Sequence, residues 1–382
     1  MKWKRLKLSE VCTLQNGRAY KKAELLSEGK YPVLRVGNFF TSNRWYYSNL
    51  DLNENKYCKN GDLLYAWSAS FGAQIWQGEK SIYHYHIWRI DLNEKLIDKK
   101  FLYYWLEFDK ENLKKKSGTG TTMMHVSKSS MEKREILIPS LSEQKHIATN
   151  LDAVFSEIDN RIFLIKNKKK HLNSLKDKIL TNQLRLNLEE KKLSEVCKIY
   201  NGGTPDTKNK LYWNGNNQWL TPRDMGKLSN EYIDTTLRQL SEDGLKNSSA
   251  NLVPKNSVIL SSRAPIGHLA INKVPMAFNQ GCKGLVPNSL LIYRYLYYFL
   301  LSSKKFLNEI GTGTTFKEIS SKTLSSVKIN VPSQNLQKAI VKKLDIFFDN
   351  LKIIEDINNK QIKNYTILKS SILSKKIISE VA

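Results

Sequence analysis

KLSEVCTLQNG at Lys7–Gly17 returns as KLSEVCKIYNG at Lys192–Gly202, an offset of 185 residues in a chain of 382. Outward from it, GTGTT at Gly118–Thr122 returns at Gly311–Thr315, offset by 193. IPSLSEQKHIATNLDAVFSEID from Ile138 is answered by VPSQNLQKAIVKKLDIFFDNL from Val331, again offset by 193. Three ordered echoes mean two structural copies of roughly 190 residues, each large enough to bury its own core. The difference in offset falls between the first and second echoes. A constant frame therefore surrounds two divergent interiors, the pattern of one scaffold carrying two different readers.

Hydrophobic residues make up 41% and aromatics 10%, the composition of a folded globular protein. Lys plus Arg number 61 against 36 Asp plus Glu, a formal charge of +25. That surplus attracts a polyanion, and nucleic acid is the usual partner. An AT-rich genome would favour Lys over Arg, but not Lys over Glu and Asp. The basic residues are spread through the chain and not gathered on one amphipathic segment, which argues against a membrane surface. MKWKRLKLSEV has no apolar signal region, and the apolar tract Leu290–Leu301 is too short for a bilayer and carries Arg294. A cytoplasmic location is expected. Cys12, Cys58, Cys197 and Cys282 form no C-x-x-C pair, so neither zinc nor a disulfide framework is indicated. Cys12 and Cys197, at equivalent positions, read as small buried hydrophobes.

From Ser142 the pattern turns helical, with apolar residues at Ile147, Leu151, Val154, Ile158, Ile165, Leu172, Leu175 and Ile179. Arg161 and Lys168 stand at two vacant places. Adding 193 gives Ile340, Leu344, Phe347, Leu351, Asn358, Tyr365, Leu368 and Ile372, with Ile354 and Gln361 at the matching places. One such helix alone also suits a surface helix lying on its own domain. Two in a shared heptad register favour packing on each other as coiled-coil seams. Pro139 and Pro332, each followed by Ser, mark strand-to-helix boundaries, and LSEQ at Leu141–Gln144 offers groups for the free amides of the first turn. Ile147 to Ile179 makes a rod of about 48 Å. A pseudo-two-fold pairing would run the helices antiparallel and hold the globular parts at opposite ends, as a ruler.

Between these frame elements each copy reads as mixed α/β. YPVLRVGNFF, DLLYAW and SIYHYHIWRI are strand-like, and the stretch from Lys99 is helix-like. The second copy answers with NQWLTPRDM, SVILSSRAPIGHLAI and LIYRYLYYFLLSS. Aromatics such as Trp45, Tyr46, Trp67, Tyr85 and Trp88 lie among Arg44, His84, His86 and Arg89. Basic residues interleaved with aromatics suit nucleic-acid contact, and the alternation equally suits half-buried strands. His84 and His86 have no Cys or carboxylate at ligand spacing, so no metal is expected. The GTGTT loops follow a helix, the reverse of a phosphate-cradling order. They suit either contact with a DNA backbone or a plain tight connection. No Asn/Asp-Pro-Pro-Tyr/Phe tetrapeptide, Ser-His-Asp or Cys-His constellation stands out, and Pro205-Asp206 lacks a spaced Glu-x-Lys. The chain reads as non-enzymatic.

The paired LSEVC…NG openings, RAPIG at Arg263–Gly267, NQGCKGL at Asn279–Leu285, the GTGTT loops and the P-S-x-x-x-Q-x-x-I helix starts resemble the specificity subunit of Type I restriction–modification systems. The first copy departs from the pattern, with SASFG at Ser68–Gly72 in place of SRAPIG and HYHIW in place of the NQGCK tract. The resemblance implies a mixed α/β fold: two tandem target-recognition domains in pseudo-two-fold arrangement, separated by two long antiparallel coiled-coil helices. The segments expected are 1–140, the spacer helix 141–185, 186–333 and the second spacer helix 334–382. It implies a bipartite double-stranded DNA target, read across a non-specific gap. Half-site centres one duplex turn apart, roughly 34–36 Å, would leave a gap on the order of six base pairs. Two methylation subunits, optionally joined by two restriction subunits, are the implied protein partners. S-adenosylmethionine would belong to the methylation subunits, ATP and Mg to restriction subunits, and no cofactor to this chain.

Lysine and arginine contacts to phosphates would supply affinity, and a few side chains at base edges specificity. The candidates in the first copy are Arg18, Arg35, Asn38, Arg44, Ser70 and His125, with Thr119 and Thr121 of the Gly-Thr loop. In the second they are Thr204, Arg223, Asp224, Arg263, Gln280 and Lys317, with Thr312 and Thr314. A stand-alone structural or regulatory DNA-binding protein, or a self-sufficient DNA methyltransferase or nuclease with an unusual site, are the competing readings.

Overall fold

The structure, a computed structural model, describes residues 3–68, 70–116, 125–184, 186, 188–263, 265–313 and 317–378. The chain is mixed α/β, as expected. It divides into two compact units, Met1–Ile165 with Asn359–Ala382, and Lys166–Asn358. Both divisions fall inside the two long helices, Leu141–Leu184 and Gln334–Ile378.

In the first unit Lys4–Lys7 pairs antiparallel with Glu135–Ile138, the strand that feeds the central helix. An antiparallel sheet orders Cys12–Asn16, Ile87–Leu92, Leu63–Ser68 and Ser70–Ile75. A smaller sheet orders Tyr47–Ser48, Tyr31–Leu34, Ser81–Tyr83 and Tyr57–Cys58, its middle pair parallel. The helix Lys99–Lys116 packs on Ser70–Ile75. Tyr65, Trp88, Phe101 and Trp105 share one core with Ile147, Leu151, Phe155 and Ile158 of the central helix.

The second unit repeats the plan. Glu190–Lys192 pairs antiparallel with Lys328–Asn330. One sheet orders Cys197–Asn201, Cys282–Pro287, Val258–Ser261, Leu269–Asn272 and Tyr232–Ile233, and another Arg238–Leu240, Trp213–Leu220 and Met276–Phe278. Leu193, Leu260, Leu285, Tyr295 and Leu296 share a core with Ile340 and Leu344.

The repeated sequence does the same mechanical job in each copy. In KLSEV, Glu10 accepts from the Lys7 amide and Glu195 from the Lys192 amide, both at 2.6 Å. These bonds close one-turn helices whose Leu and Val side chains are fully buried. Cys12 and Cys197 lie in the same cores as free thiols, and burial pushes each thiol up to about 12. At the NG turns a Cβ on Gly17 would strike the Tyr83 and His84 carbonyls, and one on Gly202 those of Phe278 and Asn279. Only glycine lets the chain pass this close.

The helix starts hold a device that the periodicity did not reveal. Ser140 and Ser333 hydroxyls accept amides of the first turn, at 3.3 and 3.4 Å. Gln144 is fully buried: its Oε1 accepts from Asp98 N at 2.8 Å, and its Nε2 donates to the Leu96 and Pro139 carbonyls. Gln337 repeats this with Ile292 N, Leu290 O and Pro332 O. One glutamine thus fastens each long helix to the loop that precedes its neighbouring helix. A second fastening follows about two turns later. Tyr104 and Lys100 hydrogen-bond Asp152, and Tyr298 and Arg294 hydrogen-bond Asp345.

The seam runs one residue away from part of its expected course. Val154, Leu175 and Leu368 are 41%, 44% and 46% exposed. The buried and half-buried stripe of the central helix passes through Leu151, Phe155, Ile158, Ile162, Ile165, Leu172, Lys176 and Ile179. In the second helix it takes Leu344, Phe348, Leu351, Asn358, Ile362, Tyr365, Lys369 and Ile372. The step of four precedes the step of three, the reverse of the expected order. Adjacent apolar pairs such as Val154-Phe155 leave both orders open, and the larger aromatic takes the inward place because it buries more surface. Arg161 and Lys168 looked like gaps only because the stripe passes through Ile162 and Lys169. Phe347 and Ile340 are half-buried and buried.

Each unit takes the far half of the other copy's helix into its core. Tyr365, Ile372, Leu373 and Ile377 pack in the first unit, and Ile179, Leu180 and Leu184 in the second. Lys369 Nζ lies over Phe155 within the first unit, and Lys176 Nζ over Phe348 within the second. Rising numbers on one helix meet falling numbers on the other, an antiparallel order.

Candidate nucleic-acid interface

The strand Tyr31–Leu34 runs into the short helix Val36–Phe40, and the chain returns through 41–46 to Tyr47–Ser48. Asn38 fixes this return, its Nδ2 donating to Ser42 O at 3.2 Å and to Arg44 O at 2.8 Å. Arg35 and Arg44 then lie against one ring, their guanidinium carbons 5.3 and 5.6 Å from the centre of Tyr46. Together with His84 and His86 they line a cleft of about 370 Å³. Burial, then His86 and Arg35, hold His84 down to about 4; burial and His125 lower His86. The cleft's fixed positive charge is therefore carried by the arginines at neutral pH.

Ion pairing separates these two arginines from the rest of the unit. Arg5 pairs with Glu135, Arg18 with Glu24, Arg89 with Asp91, Arg134 with Asp109 and Arg161 with Glu157. Among the described residues, Arg35 and Arg44 have no carboxylate within ion-pairing distance. Beside the cleft, His125 lies 6.0 Å from the Trp67 ring and 6.4 Å from His86, while Trp67 Nε1 donates to Tyr85 O.

The second unit builds a different surface on the same frame. Arg263 Nε donates to Glu318 at 2.9 Å, and the backbones of Thr312 and Glu318 pair with each other. Lys283 is 7% exposed and donates to Asn201 at 2.8 Å; burial lowers its pKa. The guanidinium carbon of Arg238 lies 3.4 Å from the centre of the Trp213 ring and 5.2 Å from that of Trp219. Arg223 is exposed on the one-turn helix Pro222–Met225. Neither Arg223 nor Arg238 has a carboxylate partner among the described residues. Planar guanidiniums without acidic partners, supported on aromatic rings, can make paired in-plane hydrogen bonds to phosphates or base edges.

The model of the Type I restriction modification DNA specificity domain matches residues 1–174 and again 185–364. The chain belongs to that family. It is 36% identical over 181 residues to the Type I restriction enzyme MjaIX specificity subunit of Methanocaldococcus jannaschii, covering 47% of this chain and 40% of that one. It is 32% identical over 275 residues to the EcoR124I/EcoR124II specificity subunit of Escherichia coli, covering 67% and 64%. The chain thus spans less than two thirds of the length of either relative. A solved structure described as the basis of complex assembly and conformational transition of the type I R-M system superposes with a TM-score of 0.79 at 19% identity. That match covers 98% of this chain and 97% of the other. The HsdS subunit from Thermoanaerobacter tengcongensis follows at 0.53 and 18%, covering 100% and 97%.

Within this specificity-domain frame the candidate residues divide by what they already hold. Arg35, Asn38 and Arg44 converge on one cleft, with His125 close by. Arg18 is drawn off by Glu24 at 2.7 Å, and Arg263 by Glu318. Asp224 caps its own helix, accepting from Thr221 N and Oγ1. Thr204 and Gln280 hydrogen-bond each other, and Lys317 is exposed. Thr119, Thr121, Thr314 and the side chain of Ser70 lie outside the described residues. Sequence reasoning missed Arg238. Its signal was an arginine in sheet-forming sequence 19 residues beyond Trp219, which became specific only when strand pairing brought it to Trp213 and Trp219.

Among the described residues no group of three His, Cys, Asp or Glu is placed to hold a metal ion. No described helix is long and apolar enough to cross a membrane.

Proposed function

We propose that this chain is the DNA sequence-reading subunit of a Type I restriction–modification assembly, binding a bipartite duplex target and leaving the chemistry to partners. Each unit reads one half-site, with a non-specific gap between the halves. The observation that carries the reading is the contrast between frame and surface. KLSEV, the buried glutamines and the tyrosine–aspartate fastenings are the same twice. The unpaired arginines stand on Tyr46 in one unit and on Trp213 in the other. A framework kept while the basic surface changes is what two different half-sites require.

The same reading assigns docking to the long helices. The first unit exposes Phe163, Leu164 and Ile367 on them, and the second Ile346, Ile353 and Ile357. Apolar side chains left in water on helix faces suit a protein partner, here the methylation subunits and, where present, restriction subunits. S-adenosylmethionine, ATP and Mg would be bound by those partners.

The test is single-molecule sequencing of DNA methylation in cells with and without this gene. Loss of one bipartite methyl-adenine motif on deletion is expected. An unchanged methylome in cells that express the chain together with its methylation subunits would overturn the reading.

A further inference from the structure

We propose that Arg35 and Arg44 form a guanine-reading site, so that the half-site bound by the first unit contains at least one fixed G·C pair. The inference rests on the functional reading above and adds the base that is read.

Three features suit these guanidiniums to paired hydrogen bonds with a base edge. The guanidiniums are free: every other described arginine of the unit is held by a carboxylate, and these two are not. They are also preorganised. Tyr46 lies against both, and Asn38 pins the backbone turn that carries Arg44, which reduces the freedom lost on binding. Finally, the cleft lining contains neither lysine nor carboxylate. The cleft therefore presents planar forks, which match two acceptors held side by side, rather than point charges.

Guanine offers that pair of acceptors, O6 and N7, on its major-groove edge. Adenine offers N7 beside an amino donor, which would confront a guanidinium that has only donors. His84 and His86, neutral at pH 7, add acceptor nitrogens suited to the amino group of the paired cytosine. A cleft of about 370 Å³ has room for a base edge and a bridging water.

The full chain, assembled with its methylation subunits, is offered randomised duplex pools, and the selected target is remade with 7-deazaguanine at each guanine in turn. We expect a fixed guanine in the first half-site, with roughly tenfold or greater loss of affinity when its N7 is replaced. Arg35→Lys or Arg44→Lys should lose the preference at that position alone and become indifferent to 7-deazaguanine. The salt dependence and the selection of the second half-site should be retained, the latter also showing that the variant is folded. A first half-site without guanine overturns the inference and leaves the functional reading intact. So do Arg35→Gln and Arg44→Gln variants that lose affinity uniformly across sequences with a salt slope reduced by about one, the behaviour of a phosphate contact. Wild-type protein that selects no sequence in either half removes the functional reading itself, and this inference with it.

Discussion

The ammonium nitrogen of Lys369 lies 4.8 Å from the centre of the Phe155 ring, and Lys176 lies 5.2 Å from Phe348. The second pair is the first with its roles exchanged: each lysine and each phenylalanine is displaced by 193 residues from its counterpart. A lysine is foreign to an apolar seam, but its stem packs while its charge rests on a ring face. Lys369 gains a further partner in Asp159, at 2.6 and 2.8 Å.

The exchange predicts that a fragment of residues 1–184 pairs with itself. In such a dimer Phe155 meets Lys176 of the second copy. Leu172, Ile179, Leu180 and Leu184 take the places of Tyr365, Ile372, Leu373 and Ile377. Sedimentation should give a dimer that Lys176→Glu weakens at least tenfold. A folded, strictly monomeric fragment would count against the equivalence.

Gln144→Leu should destabilise the first unit by about 2–3 kcal/mol, because a buried amide and two carbonyls lose their partners together. Gln337→Leu should do the same to the second. Hydrogen exchange resolves the two effects: protection should fall around residues 96–98 in one variant and 290–292 in the other. Equal loss in both units from one substitution would contradict local fastening.

Arginine substitutions should separate stability from binding. Arg18→Ala and Arg263→Ala strand Glu24 and Glu318 and should change affinity for the target duplex less than threefold. Arg238→Ala removes an unpaired guanidinium from Trp213 and should weaken binding of the second half-site at least tenfold. Anisotropy titrations with duplexes altered in one half at a time make the comparison.

The stability of the first unit should fall in mild acid. An unfolded histidine titrates near 6.5, whereas His84 in the folded unit is held down to about 4 by burial, with His86 and Arg35 adding to it. Between those values the unfolded chain binds a proton that the folded one refuses. The stabilisation is thus complete above pH 6.5 and is lost as the pH drops towards 4. His84→Gln should flatten that slope in urea titrations across the range. An unchanged slope would place the titration elsewhere.

The repeat, the mixed fold and the family were all legible because they rest on ordered identity and on composition. The helical stretches were legible from periodicity as well. The phase of the seam was not: Val154-Phe155 and Ile346-Phe347-Phe348 offer two apolar tracks, and only packing chooses between them. Gln144 and Gln337 were visible as a repeated letter, but two of the three bonds each makes go to a loop more than 40 residues away. Among the arginines, sequence ranked Arg18 beside Arg44. Glu24, six residues on, removes Arg18 from the surface charge, and no spacing rule covers an ion pair across a loop.

The sharing of cores has a consequence for how the protein is made. The first unit needs Tyr365, Ile372 and Ile377 to finish its packing, yet these are synthesised after the whole of the second unit. A ribosome releasing the chain in order therefore exposes Ile147, Leu151 and Phe155 for the time taken to translate about 200 further residues, tens of seconds at bacterial speeds. Premature termination anywhere in the last helix would injure the part of the molecule made first.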